Sequence, residues 1–292
     1  MTEAFVETAP AKINLALHIA GRRPDGYHEL DSLVVFADVA DEIEAFPASE
    51  DKLSISGPFG TGLTSGEGNL VLRAVVAFRA TWPDHVPARL AFNLRKNLPV
   101  AAGLGGGSAD AAAVLRLMAS LGPALLPEHE LMAVAARLGA DVPMCLLSRP
   151  CRAQGVGERV TALSSFPQTH VVLVNPLVPV VTADVFRRLQ VHENDGLPDL
   201  PEPLTRPAQL GIWLAETRND LEPPAIAMVP VIGALRDTLA RAPGCVLARM
   251  SGSGATVFGL FGSSTQAHQA AHDLRERWPG YWVAAAPVIQ PD

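Results

Sequence analysis

The sequence predicts a protein of mixed α and β structure in two domains, and three observations lead to this. Its 292 residues, 48% of them hydrophobic, can fill one large core or two smaller ones, and we favour two. Residues 11–21 alternate apolar and polar side chains with the period of a β-strand. The Ala-rich run after Ser108 consists of strong helix formers. We place the domain boundary near residue 160, which gives domains 1–160 and 161–292.

The balance of charge and the cysteine content narrow the class of protein. Thirty acidic residues against 23 basic ones predict no basic surface for nucleic acid or for an anionic membrane. The cysteines are Cys145, Cys151 and Cys245, without a Cys-x-x-Cys pair, which argues against a disulfide framework and a structural zinc site. The N-terminus lacks signal-peptide features, and no run approaches the ~18 to 20 apolar residues of a membrane span. We expect an unprocessed, soluble protein of the reducing cytoplasm.

The first predicted strand, residues 11–21, carries two polar side chains in the same phase. Lys12 and Asn14 lie opposite the apolar phase of the alternation, so we expect one buried face and both polar side chains on the other. A lysine in a strand is ordinarily a solvated edge residue, so this position alone establishes no function. The apolar phase is formed by Ile13, Leu15, Leu17 and Ile19.

The chain up to residue 96 contains short strands and one helix. Residues 22–26 have the Pro-Asp-Gly composition of a turn, and Tyr27 and His28 then lead into the apolar run 33–36. Taken alone, Tyr27 and His28 are an amphipathic pair at the start of a strand. Asn69 is a candidate N-cap of a helix whose apolar stripe is Leu70, Ala74, Val75 and Phe78. Further strands are predicted at 41–46, 53–56 and 89–96.

The central feature of the sequence is a glycine-rich loop that leads into a helix. Glycines at 103 and 105–107 allow positive φ angles and close approach of a ligand, and we expect the helix over 108–121. The N–H groups of its first turn have no partners within the helix and form a site for phosphate. No lysine follows the glycines as in a P-loop, and Ser108 and Asp110 break the dinucleotide pattern Gly-x-Gly-x-x-Gly. A flexible loop beside an Ala-rich core helix is the competing interpretation.

The segments beyond this helix are individually less specific. A helix is predicted over 128–138 and ends at Gly139, and the chain then turns at 140–143. An aspartate in such a turn, here Asp141, is ordinarily a cap or a turn former. His268 and His272 lack a His-Glu-x-x-His pattern and a third ligand, which favours exposed histidines over a zinc site. Further predictions are a glycine turn at 154–160, a buried strand at 171–174 and a helix at 182–189 with Thr182 as N-cap. Residues 193–207 are rich in proline and acid and are expected to form a surface excursion. Residues 250–258 are predicted to form a second glycine turn, for which a hairpin turn is one of two open interpretations.

Several of these segments resemble the GHMP kinases, the superfamily of galactokinase, homoserine kinase and mevalonate kinase. The run Pro99-Val-Ala-Ala-Gly-Leu-Gly-Gly-Gly-Ser-Ala-Asp-Ala-Ala112 is similar to their nucleotide-binding loop. The resemblance implies an α+β, two-domain GHMP kinase fold, with an N-terminal ribosomal-protein-S5-domain-2-like domain, a C-terminal ferredoxin-like domain and the site in the cleft between them. It also implies ATP as the phosphoryl donor and Mg²⁺ bridging its phosphates.

The resemblance further implies which residues are catalytic. Residues 10–15 match the opening motif, whose lysine, here Lys12, belongs to the active site. Residues 138–143 match the motif whose aspartate is the catalytic base, so Asp141 is predicted to accept or orient the proton of the substrate hydroxyl. Lys12 is predicted to keep Asp141 ionised and to offset charge on the transferred group. Most GHMP kinases carry two serines where this chain has Gly106 and Gly107, so a hydroxyl ligand for Mg²⁺ is absent at these positions. Ser108 is the nearest substitute, and the Mg²⁺ ligands stay unknown.

One branch of the superfamily carries a similar Gly-Leu-Gly-Gly-Gly-Ser run and phosphorylates the 2-hydroxyl of a cytidine diphosphate methylerythritol in the non-mevalonate isoprenoid route. In that branch the motif matched by residues 25–28 contacts the cytosine through its aromatic pair, and an aromatic at the place of Phe186 stacks on the base. The substrate residues implied are Asn14, Tyr27, His28, Thr182 and Phe186.

The resemblance also implies a set of nucleotide-binding residues. The loop contributes most of them, and the branch uses an asparagine and a lysine near the adenosine. Residues 250–258 match a motif placed near the active site, whereas 219–222 match a recurring segment to which we assign no chemistry. The implied set is Pro99, Val100, Ala101, Ala102, Gly103, Leu104, Gly105, Gly106, Gly107, Ser108, Ala109, Asn69 and Lys96.

Three other functions compete with this one. A related GHMP kinase acting on another alcohol is the nearest alternative. A non-catalytic nucleotide-binding protein is expected to keep the glycine loop but to lack Lys12 or Asp141, and both are present. A nicotinamide-dependent dehydrogenase is disfavoured by the broken dinucleotide pattern. The sequence therefore predicts an enzyme with a small-molecule partner, without nucleic acid or membrane partners.

Overall fold

The computed structural model describes residues 4–86, 88–190 and 194–291, and the chain forms two compact units. Each unit is assembled from several segments, so the units differ from the two contiguous domains predicted at 1–160 and 161–292. A boundary of sequence domains near residue 160 stays a prediction. The first unit consists of Met1–Ala11, Ala40–Val100 and Gly105–Leu147, and the second of Lys12–Val39, Ala101–Leu104 and Ser148–Asp292.

Strands and helices are mixed along the chain, which confirms the α+β class. Over the described residues, the strands are β1 Phe5–Arg22, β2 His28–Ala48, β3 Lys52–Ser56, β4 Arg89–Arg95, β5 Cys151–Gly155, β6 Arg159–Ala162, β7 His170–Asn175, β8 Cys245–Met250, β9 Val257–Phe261 and β10 Trp282–Pro287. The helices are α1 Leu70–Thr81, α2 Gly106–Leu121, α3 Glu128–Leu138, α4 Val142–Leu147, α5 Thr182–Arg187, α6 Pro207–Ala215, α7 Glu222–Met228, α8 Val231–Ala240 and α9 Ser264–Arg277. In these stretches of chain, every helix is too short or too polar to span a membrane.

The first unit packs four helices beside a small sheet. Residues 42–48 of β2 pair antiparallel with β4, and β3 pairs parallel with β4. Helix α1 packs against α2 and α3, and α2 packs against α4. The buried residues of β4 alternate, as expected for a strand with one face on a core, and they are Leu90, Phe92 and Leu94.

The second unit contains a four-stranded antiparallel sheet in the order β10-β7-β9-β8. With α8 and α9, its strands follow the chain order β7-α8-β8-β9-α9-β10, which is the split βαβ arrangement of ferredoxin-like folds. Both helices bury apolar side chains against this sheet, including Leu235, Leu239 and Leu274. The same unit holds the pairing of residues 30–34 of β2 with β5, and the β5–β6 hairpin at the predicted glycine turn.

Two strands differ from the prediction in burial and extent. The alternation predicts one exposed face for β1, yet residues 9–19 are buried on both faces, including Lys12 and Asn14. The polar side chains are correctly placed on one phase, but hydrogen-bond partners inside the protein replace solvent there. The strand predicted at 41–46 is the end of β2, which starts at His28. It continues because residues 37–40, Ala-Asp-Val-Ala, contain no glycine or proline that would turn the chain.

The predicted surface excursion at 193–207 is an anchored loop over 194–206, and Pro207 already begins α6. Leu197 and Leu204 are buried, and the N–H of Leu197 donates to Asp31 Oδ2 at 3.0 Å. Arg152 donates to both oxygens of the same carboxylate, at 2.8 and 2.6 Å. Proline and acid content therefore predicted the irregular backbone, whereas the two buried leucines are not visible in that composition. Glu193 lies outside the described residues.

The neutral form of His18, on β1, is hydrogen-bonded to the start of this loop. Its Nδ1–H donates to Asp195 O at 3.0 Å, and its Nε2 accepts from the N–H of Arg218 at 3.1 Å. Protonation would turn Nε2 into a second donor facing a donor. Burial lowers the pKa of His18 below its ordinary value of 6.5.

We expect the free energy of unfolding to fall as the pH drops below 6.5, with His18 responsible for part of the fall. Because the folded-state pKa is lowered, the unfolded chain takes up the proton first, so the stabilisation is complete above the unfolded pKa and is lost as the pH falls through the folded one. One proton gives a slope of at most about 1.4 kcal/mol per pH unit. Urea unfolding between about pH 5 and about pH 8 measures this dependence of the free energy of unfolding on pH for the unmodified chain and for His18→Asn. His272→Asn, at an exposed position, is the control. An unchanged slope in His18→Asn contradicts the assignment.

Candidate active site

The glycine loop uses positive φ angles at three positions and then starts a helix. Ala101, Gly103 and Gly105 have φ angles of 52°, 74° and 65°. The predicted start of the helix at Ser108 is wrong, because Gly105 is the N-cap of α2 and accepts from the N–H of Ala109 at 2.8 Å. Helix geometry therefore leaves the N–H groups of Gly106, Gly107 and Ser108 without an acceptor inside α2. Together with the dipole of this 16-residue helix, they attract an anionic group.

Gly103 lies in close contact with the second glycine turn. A Cβ on Gly103 would lie 2.3 Å from Ser251 O and 3.0 Å from Gly254 N. The Oγ of Ser251 also donates to Gly103 O at 2.9 Å. The turn itself connects β8 and β9, so it is a hairpin turn, and it is also the support of the glycine loop. The hairpin interpretation is therefore correct, and the place of this turn near the active site stays a prediction.

Lys12 and Asn14 belong to the same hydrogen-bonded cluster as this part of the loop. The Nζ of Lys12 donates to Asn14 Oδ1 at 2.9 Å, and its backbone N–H donates to Leu104 O at 3.0 Å. The N–H of Asn14 donates to Ser251 Oγ at 3.2 Å, and its Nδ2 donates to Ser32 Oγ at 2.8 Å. The second unit thus brings together the predicted active-site lysine, Asn14 and the loop backbone at 103–104.

Asn219 and Glu222 brace the second glycine turn, a role that sequence reasoning missed. The buried Asn219 donates from Nδ2 to Met250 O and to Gly252 O, both at 2.8 Å. Glu222 Oε2 accepts from the N–H of Met250 at 2.7 Å. The segment Asn219-Asp-Leu-Glu222 was a visible signal, but its partners lie some thirty residues away in the chain and only folding identifies them.

Lys96, predicted near the adenosine, is buried between two carboxylates in the first unit. Its ammonium pairs with Asp41 and, at 2.7 Å, with Asp110. Burial acts to lower the pKa of Lys96, but the charges of Asp110 and Asp41 outweigh it and the pKa is raised. Burial is also the largest cause that raises the pKa of Asp110, to about 7. Asp41 has no motif around it, so the sequence did not indicate its role.

Asn69 and the start of the loop also lie in the first unit. Asn69 is the N-cap of α1, as predicted: its Oδ1 accepts from the N–H of Val71 at 2.9 Å, and its Nδ2 donates to Thr64 O at 2.8 Å. These bonds give the amide a structural role, and contact with adenosine stays a prediction. Pro99 is buried, whereas Val100 is half exposed.

Two of the predicted substrate residues form a ring pair in the second unit. The rings of His28 and Phe186 stack with centroids 5.0 Å apart and an interplanar angle of 30°. Tyr27, the neighbour of His28, is 65% exposed. The N-cap prediction for Thr182 is wrong, because Val181 is the cap of α5 and Thr182 is its first residue. The hydroxyl of Thr182 instead hydrogen-bonds the hydroxyl of Ser253 at 2.8 Å.

Asp141 directly precedes α4 in the first unit. The predicted exit turn at 140–143 is wrong in its second half, because Val142 and Pro143 begin this helix, where proline is tolerated in the first turn. The carbonyl of Asp141 accepts from the N–H of Cys145 at 3.2 Å, and the residue is partly exposed. This hydrogen bond fixes the backbone of Asp141 at the start of α4.

The chain is similar over nearly its whole length to proteins of one family. The GHMP kinases N terminal domain matches residues 69–149, and the GHMP kinases C terminal domain matches residues 200–280. A 4-diphosphocytidyl-2-C-methyl-D-erythritol kinase of Cereibacter sphaeroides is 50% identical over 99% of this chain and 100% of that protein. The chain belongs to the GHMP kinases. A second kinase of that name, from Agrobacterium fabrum, is 49% identical over 97% of this chain and 96% of its own length.

Solved structures place this GHMP kinase in the same fold. The crystal structure of a 4-(cytidine 5′-diphospho)-2C-methyl-D-erythritol kinase matches with a TM-score of 0.78 and 36% identity, covering 97% of this chain and 98% of that one. A homoserine kinase from Cytophaga hutchinsonii matches with a TM-score of 0.74 at 17% identity, over 99% of this chain and 96% of that one, which supports the fold alone. The chain is therefore a small-molecule kinase of the predicted fold.

In this kinase the predicted site residues fall into two groups. The second unit holds Lys12, Asn14 and the loop at 101–104, together with Tyr27, His28, Thr182 and Phe186. The first unit holds Asn69, Lys96, the loop at 99–100 and 105–109, and Asp141. Across the described ranges, no three His, Cys, Asp or Glu side chains are grouped as metal ligands. The roles of all these residues stay predictions.

Proposed function

We propose that this kinase transfers the terminal phosphoryl group of ATP to the 2-hydroxyl of 4-diphosphocytidyl-2-C-methyl-D-erythritol, in the non-mevalonate isoprenoid precursor route. One observation carries the proposal: 50% identity over 99% of the chain to a relative of that name. The cytoplasm as its location stays a prediction from the cysteine content.

Phosphoryl transfer depends on positioning and charge neutralisation, and the chain offers groups for both. The N–H groups of Gly106, Gly107 and Ser108 are suited to hold the phosphates of ATP. Lys12, fixed by its bonds to Asn14 and to the loop carbonyl of Leu104, offsets negative charge on the transferred group. Asp141 accepts or orients the proton of the substrate hydroxyl. Mg²⁺ supplies further neutralisation when it enters with ATP, and we assign no protein ligand to it.

The His28–Phe186 pair supports a pyrimidine substrate. Two stacked rings offer an aromatic face for the cytosine, and an imidazole nitrogen can exchange hydrogen bonds with the pyrimidine edge. The exposed ring of Tyr27 adds a second aromatic face at the start of β2. Mevalonate, homoserine and galactose lack an aromatic ring, so these residues would distinguish the proposed substrate from these three alcohols.

An ATP-consumption assay with four alcohols tests the function. The purified chain is given the cytidyl substrate, mevalonate, homoserine or galactose, and ADP release is followed. We expect turnover with the cytidyl substrate well above the other three. Preference for another alcohol refutes the proposed substrate and favours a related GHMP kinase, whereas ATP binding without turnover on any alcohol favours a non-catalytic nucleotide-binding protein.

We expect His28→Ala to raise the KM for the cytidyl substrate about tenfold while changing the KM for ATP little. Loss of an aromatic stacking partner costs about 0.5 to 1.5 kcal/mol, and about 1.4 kcal/mol corresponds to a factor of ten. Steady-state kinetics with each substrate varied in turn measures both constants. The exposed His272→Ala on α9 is the matched control and should behave as the unmodified chain. Equal rises in both KM values would place His28 outside the cytosine site.

A further inference from the structure

A cluster of three buried charged side chains lies against the first turn of α2. Lys96 Nζ pairs with Asp41 Oδ2 and with Asp110 Oδ2, and each of the three side chains is 5% exposed or less. The position that a Cβ would take on Gly106 is 3.4 Å from Lys96 Nζ and 3.6 Å from Asp41 Oδ2. The cluster is therefore in van der Waals reach of the residue that begins the helix.

The charges of this cluster do not balance when all three groups are ionised. Two carboxylates and one ammonium give a net charge of −1 in a buried place, which is costly. Asp41 satisfies both of its oxygens, because Oδ1 accepts from the N–H of Asn97 at 2.6 Å and of Leu98 at 2.8 Å, and Oδ2 binds Lys96. Asp110 does not: among the described residues its buried Oδ1 has no hydrogen-bond partner. Asp110 is therefore the member that ionises least readily.

The surroundings of Asp110 favour a proton on this carboxyl. Asp41 and Asp110 each bind Lys96 Nζ through Oδ2, so the charge of Asp41 lies close to the carboxyl of Asp110 and disfavours its ionisation. Burial, and then the charge of Asp41, raise the pKa of Asp110 to about 7 against the opposing charge of Lys96. The buried side chains of α1, α3 and α4, which pack against α2 or its neighbours, are uncharged.

We propose that Asp110 is a positioning residue of the phosphate loop that acts as a neutral acid: keeping its proton beside the Lys96–Asp41 pair, it holds Lys96 under α2 without placing net negative charge beneath the N–H donors of Gly106 to Ser108. The proposal rests on the proposed function, since it assumes that these donors bind nucleotide phosphates. Loss of the proton of Asp110 leaves a net negative charge beneath the donors, which opposes the binding of an anion.

The test compares the affinity for ADP at two pH values. Calorimetry gives the Kd of ADP for the unmodified chain and for Asp110→Asn, which has the same shape but no charge, at about pH 6 and about pH 8.5. Titration of ADP itself is common to both proteins and cancels in the ratio of their Kd values. We expect a ratio near one at the lower pH, and at the higher pH on the order of tenfold weaker binding by the unmodified chain. A ratio that does not change with pH overturns the proposal.

A control variant and a second measurement keep the test decisive. Glu128→Gln, an exposed acid on α3, removes the same charge and should follow the unmodified chain at both pH values. If Asp110→Asn does not fold, infrared spectroscopy of the unmodified chain decides. A carbonyl band from a protonated carboxyl at about pH 6 that is lost by about pH 8.5 supports the proposal, and its absence overturns it.

The outcomes also separate this proposal from the proposed function. A chain that binds ADP but phosphorylates none of the alcohols refutes the proposed function alone. A flat ratio of Kd values in an active kinase refutes the role of Asp110 alone. A chain that does not bind ADP at either pH refutes both.

Discussion

Asp141→Asn is expected to lower kcat by about 10² to 10⁴ while leaving the affinity for ATP near its original value. This is the range over which general acid–base groups act, and asparagine cannot accept the hydroxyl proton. The substitution keeps the size of the side chain and leaves the carbonyl that accepts from Cys145 unchanged, so α4 should still begin at Val142. Initial rates at saturating substrate, together with ADP calorimetry, measure the two quantities separately.

The control for this prediction is Asp38→Asn, an exposed aspartate on β2. It makes the same chemical change at a position that we assign to neither substrate nor nucleotide, and its kcat should equal that of the unmodified chain. Near-normal turnover of Asp141→Asn would remove Asp141 from the mechanism. A parallel loss of ATP affinity would instead point to a disturbed loop or helix.

Gly103→Ala is expected to lower the free energy of unfolding by about 2 to 4 kcal/mol and to weaken nucleotide binding. A non-glycine residue at a positive φ of 74° is strained, and its Cβ would lie 2.3 Å from Ser251 O. The clash is with backbone, which cannot move aside as a flexible side chain does, so the glycine loop and the β8–β9 turn must separate. Urea unfolding and ADP calorimetry measure the two effects.

Gly107→Ala, four residues further along the same loop, is the matched comparison. A Cβ on Gly107 meets nothing within 4 Å, and the residue lies in the first turn of α2. Alanine is the better helix former, so stability should be unchanged or rise by up to about 1 kcal/mol. Equal destabilisation by the two substitutions would contradict the packing described for Gly103.

Much of the fold and part of the site follow from local patterns. The alternation around Lys12 and Asn14 gave the first strand and their shared face because strand geometry has a period of two. Asn69 was recognised as an N-cap because capping is a contact with the next turn of the same helix. The glycine loop was recognised as a turn into a helix, although the exact start of α2 depended on which glycine adopts the left-handed conformation.

Contacts between distant segments were not predictable in the same way. Nothing in the sequence distinguishes Gly103, where an added Cβ would meet Ser251, from Gly107, where an added Cβ would meet nothing within 4 Å. The same holds for Asn219, whose amide spans two carbonyls of the β8–β9 turn, and for Asp41, which joins Lys96 and Asp110. Their neighbours lie between 14 and 148 residues away along the chain.

The sequence by itself determined the family, because its motifs are residue types at fixed local spacings, and that resemblance implied the α+β class, the candidate phosphate loop and the candidate lysine and aspartate. Tertiary structure alone decided that β1 is buried on both faces, that the loop rests on a second glycine turn, and that Lys96 is enclosed by two acids. The physical reason is that burial and charge balance are properties of the space around a side chain. That space is filled by residues remote in the chain, and their identity is known only once the chain has folded.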